Sequence, residues 1–333
     1  MKAAVIGAGY WGPNLIRNFL AHDEIEAVVA CDVDEERLKA MGRSFFNIET
    51  ATVANEVIDR PDIDIVVIST PVSTHYELAK RALEQKKHCF IEKPMTASSA
   101  EAAELIDIAE GNGVKLFVDH TFIYTGAVSK MKELISSGRL GDVYYFDSVR
   151  VNLGLFQHDV NVIWDLAPHD LSIADYLLEK RPVSVSAVGS GHVGTGLEDI
   201  AYMTLEYDDS LIAHFSVNWL SPVKIRRTLI GGTRSMILYD DMETSEKVKV
   251  YDRGIDVTSR EGVYSTLVQY RTGDMLSPKL DQTEALATAT RHFIDCILED
   301  KVPITDGHAG LNVVRILEAS AESISNSGQA IAL

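Results

Sequence analysis

Lys2-Ala3-Ala4-Val5-Ile6-Gly7-Ala8-Gly9-Tyr10-Trp11-Gly12-Pro13 is the segment from which the architecture can be inferred. A β-rich apolar run meets a Gly-x-Gly-x-x-Gly turn, and Pro13 is preset for the first turn of a helix. Gly7 permits the tight turn, and Gly9 lets backbone approach a pyrophosphate. Gly12 lets helix pack close to strand. Tyr10 and Trp11 fill the variable positions of this loop and count with the glycines as cofactor-contacting. Asp32 ends the next strand-like run, about twenty residues on, where a carboxylate can accept hydrogen bonds from both adenine-ribose hydroxyls. A 2′-phosphate would be repelled there, so the pattern predicts NAD(H) in preference to NADP(H).

Outward from that turn, strand and helix patterns alternate through residue 120. Lys2–Ile6, Glu26–Cys31, Asp64–Ser69, His88–Ile91 and Val114–Val118 read as strands. The third of these is apolar throughout, as a parallel strand covered on both faces should be. Helical spacing falls between them, so the alternation predicts a doubly wound parallel sheet over residues 1–120. Beyond that the rhythm changes. Strand-like runs from Val143 to Tyr251 follow one another with few helices, and helical spacing returns in the tail. The expected fold class is α/β, a Rossmann domain at 1–120. A second α+β domain at 121–333 carries an open, largely antiparallel sheet with helices on one face.

Bulk properties narrow the function. The 333 residues are 46% hydrophobic and 24% charged, with a net charge of −18. Such a surface repels nucleic-acid phosphate and acidic membranes. No apolar run approaches a membrane span, and the start reads as a strand, not a signal peptide. Cys31, Cys89 and Cys296 are too scattered for a metal or disulfide framework and read as buried thiols of a cytoplasmic protein. No clustering of histidines and acids suggests a metal site.

Two further segments carry chemistry. Ser69-Thr70-Pro71 ends the third strand with His75 opening a helix, at the carboxyl edge where such sheets bind ligand. Glu92-Lys93-Pro94 closes the fourth strand, and Asp165-Leu166-Ala167-Pro168-His169-Asp170 lies in the second domain. Oxidising an alcohol requires a base within reach of the hydroxyl proton. Lys93 can hydrogen-bond the reacting oxygen and stabilise alkoxide. Pro168 is read as starting a helix, which would put His169 in its first turn and favour neutral imidazole. Asp165 can orient either group, and Asp170 is explained by the helix dipole alone.

Taken together, Gly7-x-Gly9-x-x-Gly12, Thr70-Pro71-x-x-x-His75, Glu92-Lys93-Pro94 and Asp165-x-x-x-His169 resemble the glucose–fructose oxidoreductase, inositol dehydrogenase and rhizopine-catabolism (Gfo/Idh/MocA) oxidoreductases. The resemblance runs over nearly the whole chain. It implies that Lys93, Asp165 and His169 are catalytic, and that Thr70, Pro71, His75 and Glu92 join the cofactor set. It also implies a cis Lys93–Pro94 peptide. Lys93 and His169 both remain open as the proton acceptor. The family members most similar around Asp119–Tyr124 and Phe146–Asp170 act on nucleotide-linked sugars, often at C3 of a UDP-amino sugar or its uronic acid. The substrate is therefore expected over the second domain's sheet, between Lys93 and His169. His120, Tyr124, Arg150, Asn152, Gln157 and Asn161 are the polar candidates to line it. A cyclitol or polyol dehydrogenase is the second reading, and a non-catalytic NAD-binding sensor the third. The apolar face of the open sheet is expected to be covered in a homodimer or homotetramer.

Overall fold

A computed structural model of the protein describes residues 1–46, 48–154, 160–194, 196–256 and 269–333. The chain forms two compact units, one of residues 1–124 with 283–315 and the other of 125–282 with 316–333.

The first unit is built on β1 (Lys2–Ile6), β2 (Ala27–Cys31), β3 (Ile48–Ala51), β4 (Ile65–Ile68), β5 (His88–Glu92) and β6 (Leu116–Asp119). They form one parallel sheet in the order β3-β2-β1-β4-β5-β6. This is the arrangement that leaves a ligand crevice at the carboxyl ends of β1 and β4. Ile65, Val66, Val67 and Ile68 are all fully buried, as their unbroken apolar run requires. Helices α1 (Gly12–Leu20), α2 (Glu35–Ser44), α3 (Ala54–Ile58), α4 (His75–Glu84) and α5 (Ser99–Asn112) connect the strands. Their ends follow the sequence. Asp34 accepts from the Glu36 and Arg37 amides to cap α2. Ser98 accepts from the Glu101 amide to cap α5, which stops at Gly113 with a φ of 67°.

The change of rhythm in the sequence assigns everything after residue 120 to the second domain. The structure instead groups residues 283–315, including α8 (Ala285–Leu298), with the first unit. An aromatic cluster explains this. Phe90 and Phe117 stack at 4.6 Å, and Phe293 of α8 meets Phe90 edge-on at 5.6 Å. Each such pair contributes about 1 kcal/mol beyond the area it buries. Residues far apart in the chain thus complete one core.

The second unit has a nine-stranded sheet, and most of its strands lie antiparallel. Its order is β14 (Gln269–Leu276), β13 (Val248–Asp256), β12 (Met236–Asp240), β11 (Leu220–Gly232), β7 (Val143–Leu153), β10 (Ile212–Asn218), β9 (Ile200–Glu206), β8 (Ser184–Ser190) and β15 (Ile331–Ala332). The pairing of β7 with β10 is parallel. Helices α6 (Gly126–Ser136) and α7 (Val162–Leu178) belong to this unit. Helix α9 (Gly307–Ser325) changes units after Arg315. Phe146, Phe215 and Val217 point from the sheet into the unit's core. The opposite face, expected to be apolar, is mixed. It carries exposed Tyr145, Val188, Tyr202 and Ile212, and interleaved among them are Asp147, His214, Ser216 and Arg227.

Helix α7 also departs from expectation. It begins at Val162, with Asn161 as its cap, and runs through Pro168. His169 therefore sits two turns in, away from the dipole's positive end. Burial of Ala167, Leu171, Ala174 and Leu177 holds the helix together across the proline, which costs about 3 kcal/mol in an exposed helix.

Candidate active site

In the first unit, the glycine-rich loop is shaped by contacts that admit no side chain. Gly7 has a φ of 102°, and a Cβ there would lie 2.6 Å from the Ser69 carbonyl oxygen. A Cβ on Gly12 would meet the Gly7 carbonyl oxygen at 2.3 Å. Gly9 differs, since the nearest atom to a Cβ there is Arg37 Nη1 at 3.9 Å. No protein contact demands glycine at that position, so the space beside it is available to a ligand. Trp11 caps α1 without a side-chain hydrogen bond, and the first turn holds no acid, which leaves its amides suited to phosphate. Tyr10 is exposed and meets the Trp11 ring edge-on.

Asp32 is buried beside this loop. Its Oδ2 accepts from the Ala8 amide at 2.7 Å, and its Oδ1 from the Asp34 amide at 2.9 Å. These bonds hold the carboxylate at the carboxyl end of β2, with lone pairs to spare for a diol. Arg37, on the first turn of α2, lies 3.6 Å from Asp32 Oδ2. The sequence gives no sign of its importance, because arginine on an exposed helix is unremarkable until the strand beside it is placed.

His75, expected in the cofactor set, is buried. Its Nε2 lies 2.8 Å from the Thr70 carbonyl oxygen and its Nδ1 3.0 Å from that of Pro94. Burial lowers its pKa, and the Lys93 charge acts in the same direction. The ring therefore sits between the Thr70-Pro71 loop and the Lys93-Pro94 loop, and in its neutral form donates to one of the two carbonyls. The Thr74 hydroxyl adds bonds to Thr70 Oγ1 and to the Pro71 carbonyl. The Lys93–Pro94 peptide is cis.

Around Lys93 lie three buried polar groups. Glu92 and Asp119 end adjacent strands and are direct partners in the β5–β6 register. Asp119 Oδ1 accepts from the Thr121 hydroxyl at 2.8 Å. Glu92 Oε1, Asp119 Oδ2 and both ring nitrogens of His120 have no hydrogen-bond partner among the described residues. Burial, and then the Lys93 charge, push His120 down to about 3, so its imidazole is neutral. A buried neutral ring with both nitrogens unsatisfied, at the carboxyl edge of a Rossmann sheet, fits a ligand hydroxyl. Tyr124 does not join this set. Its ring stacks on Phe117, and its hydroxyl lies 3.0 Å from Thr305 Oγ1, so its role is in the core.

In the second unit, Asp165 and His169 are four residues apart on α7 and share one face of the helix. Trp219 Nε1 donates to Asp165 Oδ2 at 3.0 Å, which fixes that carboxylate. Arg150, a candidate to line the substrate, is buried and pairs bidentately with Asp170, both bonds being 2.8 Å. Asp170 is thus an ion-pair partner and not an acid placed for the dipole. Asn161 is also committed, accepting from the Trp164 amide and donating to Glu198. Asn152 is half-buried on β7, and Gln157 lies outside the described residues. Cys31, Cys89 and Cys296 are buried free thiols. Among the described residues, no helix is long and apolar enough to cross a membrane, and no group of histidines, cysteines and acids could hold a metal ion.

Comparison with known proteins identifies relatives along nearly the whole chain. The chain is 26% identical to the UDP-N-acetylglucosamine 3-dehydrogenase of Acidithiobacillus ferrooxidans, covering 94% of each chain. It is 24% identical to the NADP(+) scyllo-inositol 2-dehydrogenase of Bacillus subtilis, over 97% of this chain and 93% of the relative. Among solved structures, levoglucosan dehydrogenase in complex with NADH and levoglucosan superposes with a TM-score of 0.84 at 20% identity, covering 100% and 99% of the two chains. Residues 1–120 match the NAD-binding Rossmann fold of the GFO/IDH/MocA oxidoreductases, and residues 128–238 match the GFO/IDH/MocA C-terminal domain. With its glycine loop, Asp32 and the Lys93 strand end in one sheet, the chain belongs to the Gfo/Idh/MocA family of NAD-binding oxidoreductases.

Proposed function

We propose that the protein is an NAD-dependent dehydrogenase or reductase acting on a secondary ring hydroxyl of a nucleotide-linked sugar, such as C3 of a UDP-amino sugar or its uronic acid. The observation that carries the reaction is the Lys93 strand end, flanked by donor-poor buried acids and a neutral, unsatisfied His120. The likeness to a UDP-N-acetylglucosamine 3-dehydrogenase along nearly the whole of both chains supports the substrate class.

The Gly7–Gly12 loop and the amino terminus of α1 hold the pyrophosphate, and Asp32 takes the adenine ribose. Bound nicotinamide supplies the hydride acceptor, or the donor in the reverse direction. Lys93 hydrogen-bonds the reacting oxygen and stabilises alkoxide, and His120 holds a neighbouring substrate hydroxyl. His169 and Lys93 handle the hydroxyl proton, with Asp165 fixed by Trp219 to orient the imidazole.

A polyol or cyclitol substrate is the second reading, supported by the likeness to the scyllo-inositol 2-dehydrogenase. A panel of UDP-sugars, free sugars and inositols, read by nicotinamide absorbance, separates the two. UDP-sugars should be turned over with the highest kcat/KM, and a preference for inositols would transfer the assignment. Lys93→Ala and His169→Ala should each lower kcat by about 10²–10⁴-fold while NADH still binds. Undiminished turnover in both variants would remove the catalytic reading.

A further inference from the structure

Glu92 and Asp119 present a problem in charge and hydrogen bonding that the catalytic reading leaves unsolved. They lie side by side at the ends of parallel strands, and both are buried. Counted as carboxylates, Glu92 Oε1 and Asp119 Oδ2 have no donor among the described residues, while Asp119 Oδ1 is occupied by the Thr121 hydroxyl. The two carboxyls nonetheless lie close enough for each to act on the other's charge. Two buried like charges at adjacent strand ends cannot both ionise at such a site, and a single hydrogen between the carboxyls relieves both the repulsion and the unsatisfied oxygens.

We infer that Glu92 and Asp119 hold one proton between them and together carry a single negative charge, forming the buried counter-charge that keeps the Lys93 ammonium charged and directed at the reacting oxygen. The groups within electrostatic reach agree. Lys93 acts on both acids and on His120, the His120 ring is neutral, and the Tyr124 phenol is held protonated by burial and by its nearness to Asp119. Burial raises both acids and their mutual repulsion acts in the same sense, so the proton belongs to the pair. One negative charge on the pair beside an ammonium is a condition that a buried site tolerates better than two. A doubly ionised pair would leave an uncompensated charge. A doubly protonated one would leave Lys93 with no counter-ion from this pair. Glu92 and Asp119 are on this account positioning residues, acting through Lys93.

The inference rests on the catalytic reading of Lys93, so its test reads the proton and the function separately. Infrared spectra of the wild-type protein at neutral pH should contain the carbonyl band of a buried protonated carboxylic acid, shifted in heavy water. Glu92→Gln should remove it, and Asp119→Asn serves in its place if that variant does not fold. Spectra with no such band would overturn the shared proton. In kinetics, either single amide leaves one carboxyl able to hold the charge, so E92Q and D119N should each lower kcat by about tenfold or less. The double variant, which can hold none, should lose about a thousandfold or more, exceeding the product of the single losses. NADH titration reports that the cofactor unit remains folded. Losses that simply multiply would overturn the charge role. Undiminished turnover in K93A would strike the reading of Lys93 instead, and would leave the infrared band in place.

Discussion

At the scale of single residues, Asp32 shows how one carboxylate can serve both structure and selectivity. Its bonds to the Ala8 and Asp34 amides fix its direction, so its remaining acceptor capacity meets a ribose diol without reorganisation. Arg37 lies 3.6 Å away and also pairs with Asp34 at 3.5 Å. Asp32→Ala would expose an arginine where a 2′-phosphate sits, which is how this fold accommodates NADP. The variant should weaken NADH by about tenfold or more and tighten NADPH by a similar factor. Fluorescence titration with both cofactors checks this, and an unchanged preference would mean that Asp32 does not face the ribose. The residue types at this site are legible in the sequence because three glycines at fixed spacing, between a strand and a helix, with an acid at the end of the next strand, meet the joint demands of a dinucleotide. Tyr124, Arg150 and Asn161 are not legible in the same way. A tyrosine, an arginine and an asparagine each satisfy substrate, core and cap equally well until their neighbours are known.

At the scale of elements, α7 and β7 carry the correction of most consequence. Pro168 suggests a helix start, because proline is at home in a first turn and costly further in. The helix starts earlier because Asn161 caps it and its apolar face is buried, and tertiary packing outweighs the local cost. Asp170 consequently points from α7 to Arg150 on β7 and makes a bidentate, buried ion pair. Removing one partner of such a pair leaves the other charge buried without its counterpart. Asp170→Ala should lower unfolding stability by about 3–5 kcal/mol, whereas Arg150→Met with Asp170→Leu should recover most of the loss. Urea titrations of the three proteins test this, and a loss under about 1 kcal/mol for D170A would mean that the pair contributes little. The short edge strand β3 and the small helix α3 leave no mark in the sequence pattern either. Ile48-Glu49-Thr50-Ala51 is half-exposed, so it carries no apolar periodicity to read.

At the scale of the whole molecule, folding free energy is tied to protons through groups buried in the first unit. His75 and His120 are held below the ordinary imidazole value, chiefly by burial. A base depressed in this way contributes stability that is complete above its unfolded value, about 6.5, and is lost as pH falls below it. Glu92 and Asp119, raised by burial, act in the opposite sense, and their contribution is lost as pH rises through the folded values. The two effects offset each other, so the comparison that isolates one is a difference between proteins. Relative to His120→Gln, the wild type should lose about 2 kcal/mol of stability between pH 7 and pH 5. Parallel urea-derived stability curves for the two proteins would mean that His120 takes up its proton in the folded state. Sequence alone determined the Rossmann sheet, the glycine loop, Asp32 and the Lys93 strand end, because these depend on local spacing and on runs that can fold in one way. Folding in three dimensions is what makes residues 283–315 complete the first core, joins Arg150 to Asp170 and sets Glu92 beside Asp119. Each of those facts joins residues distant in the chain, and which of them meet is set by strand order and burial, which no single stretch of sequence encodes.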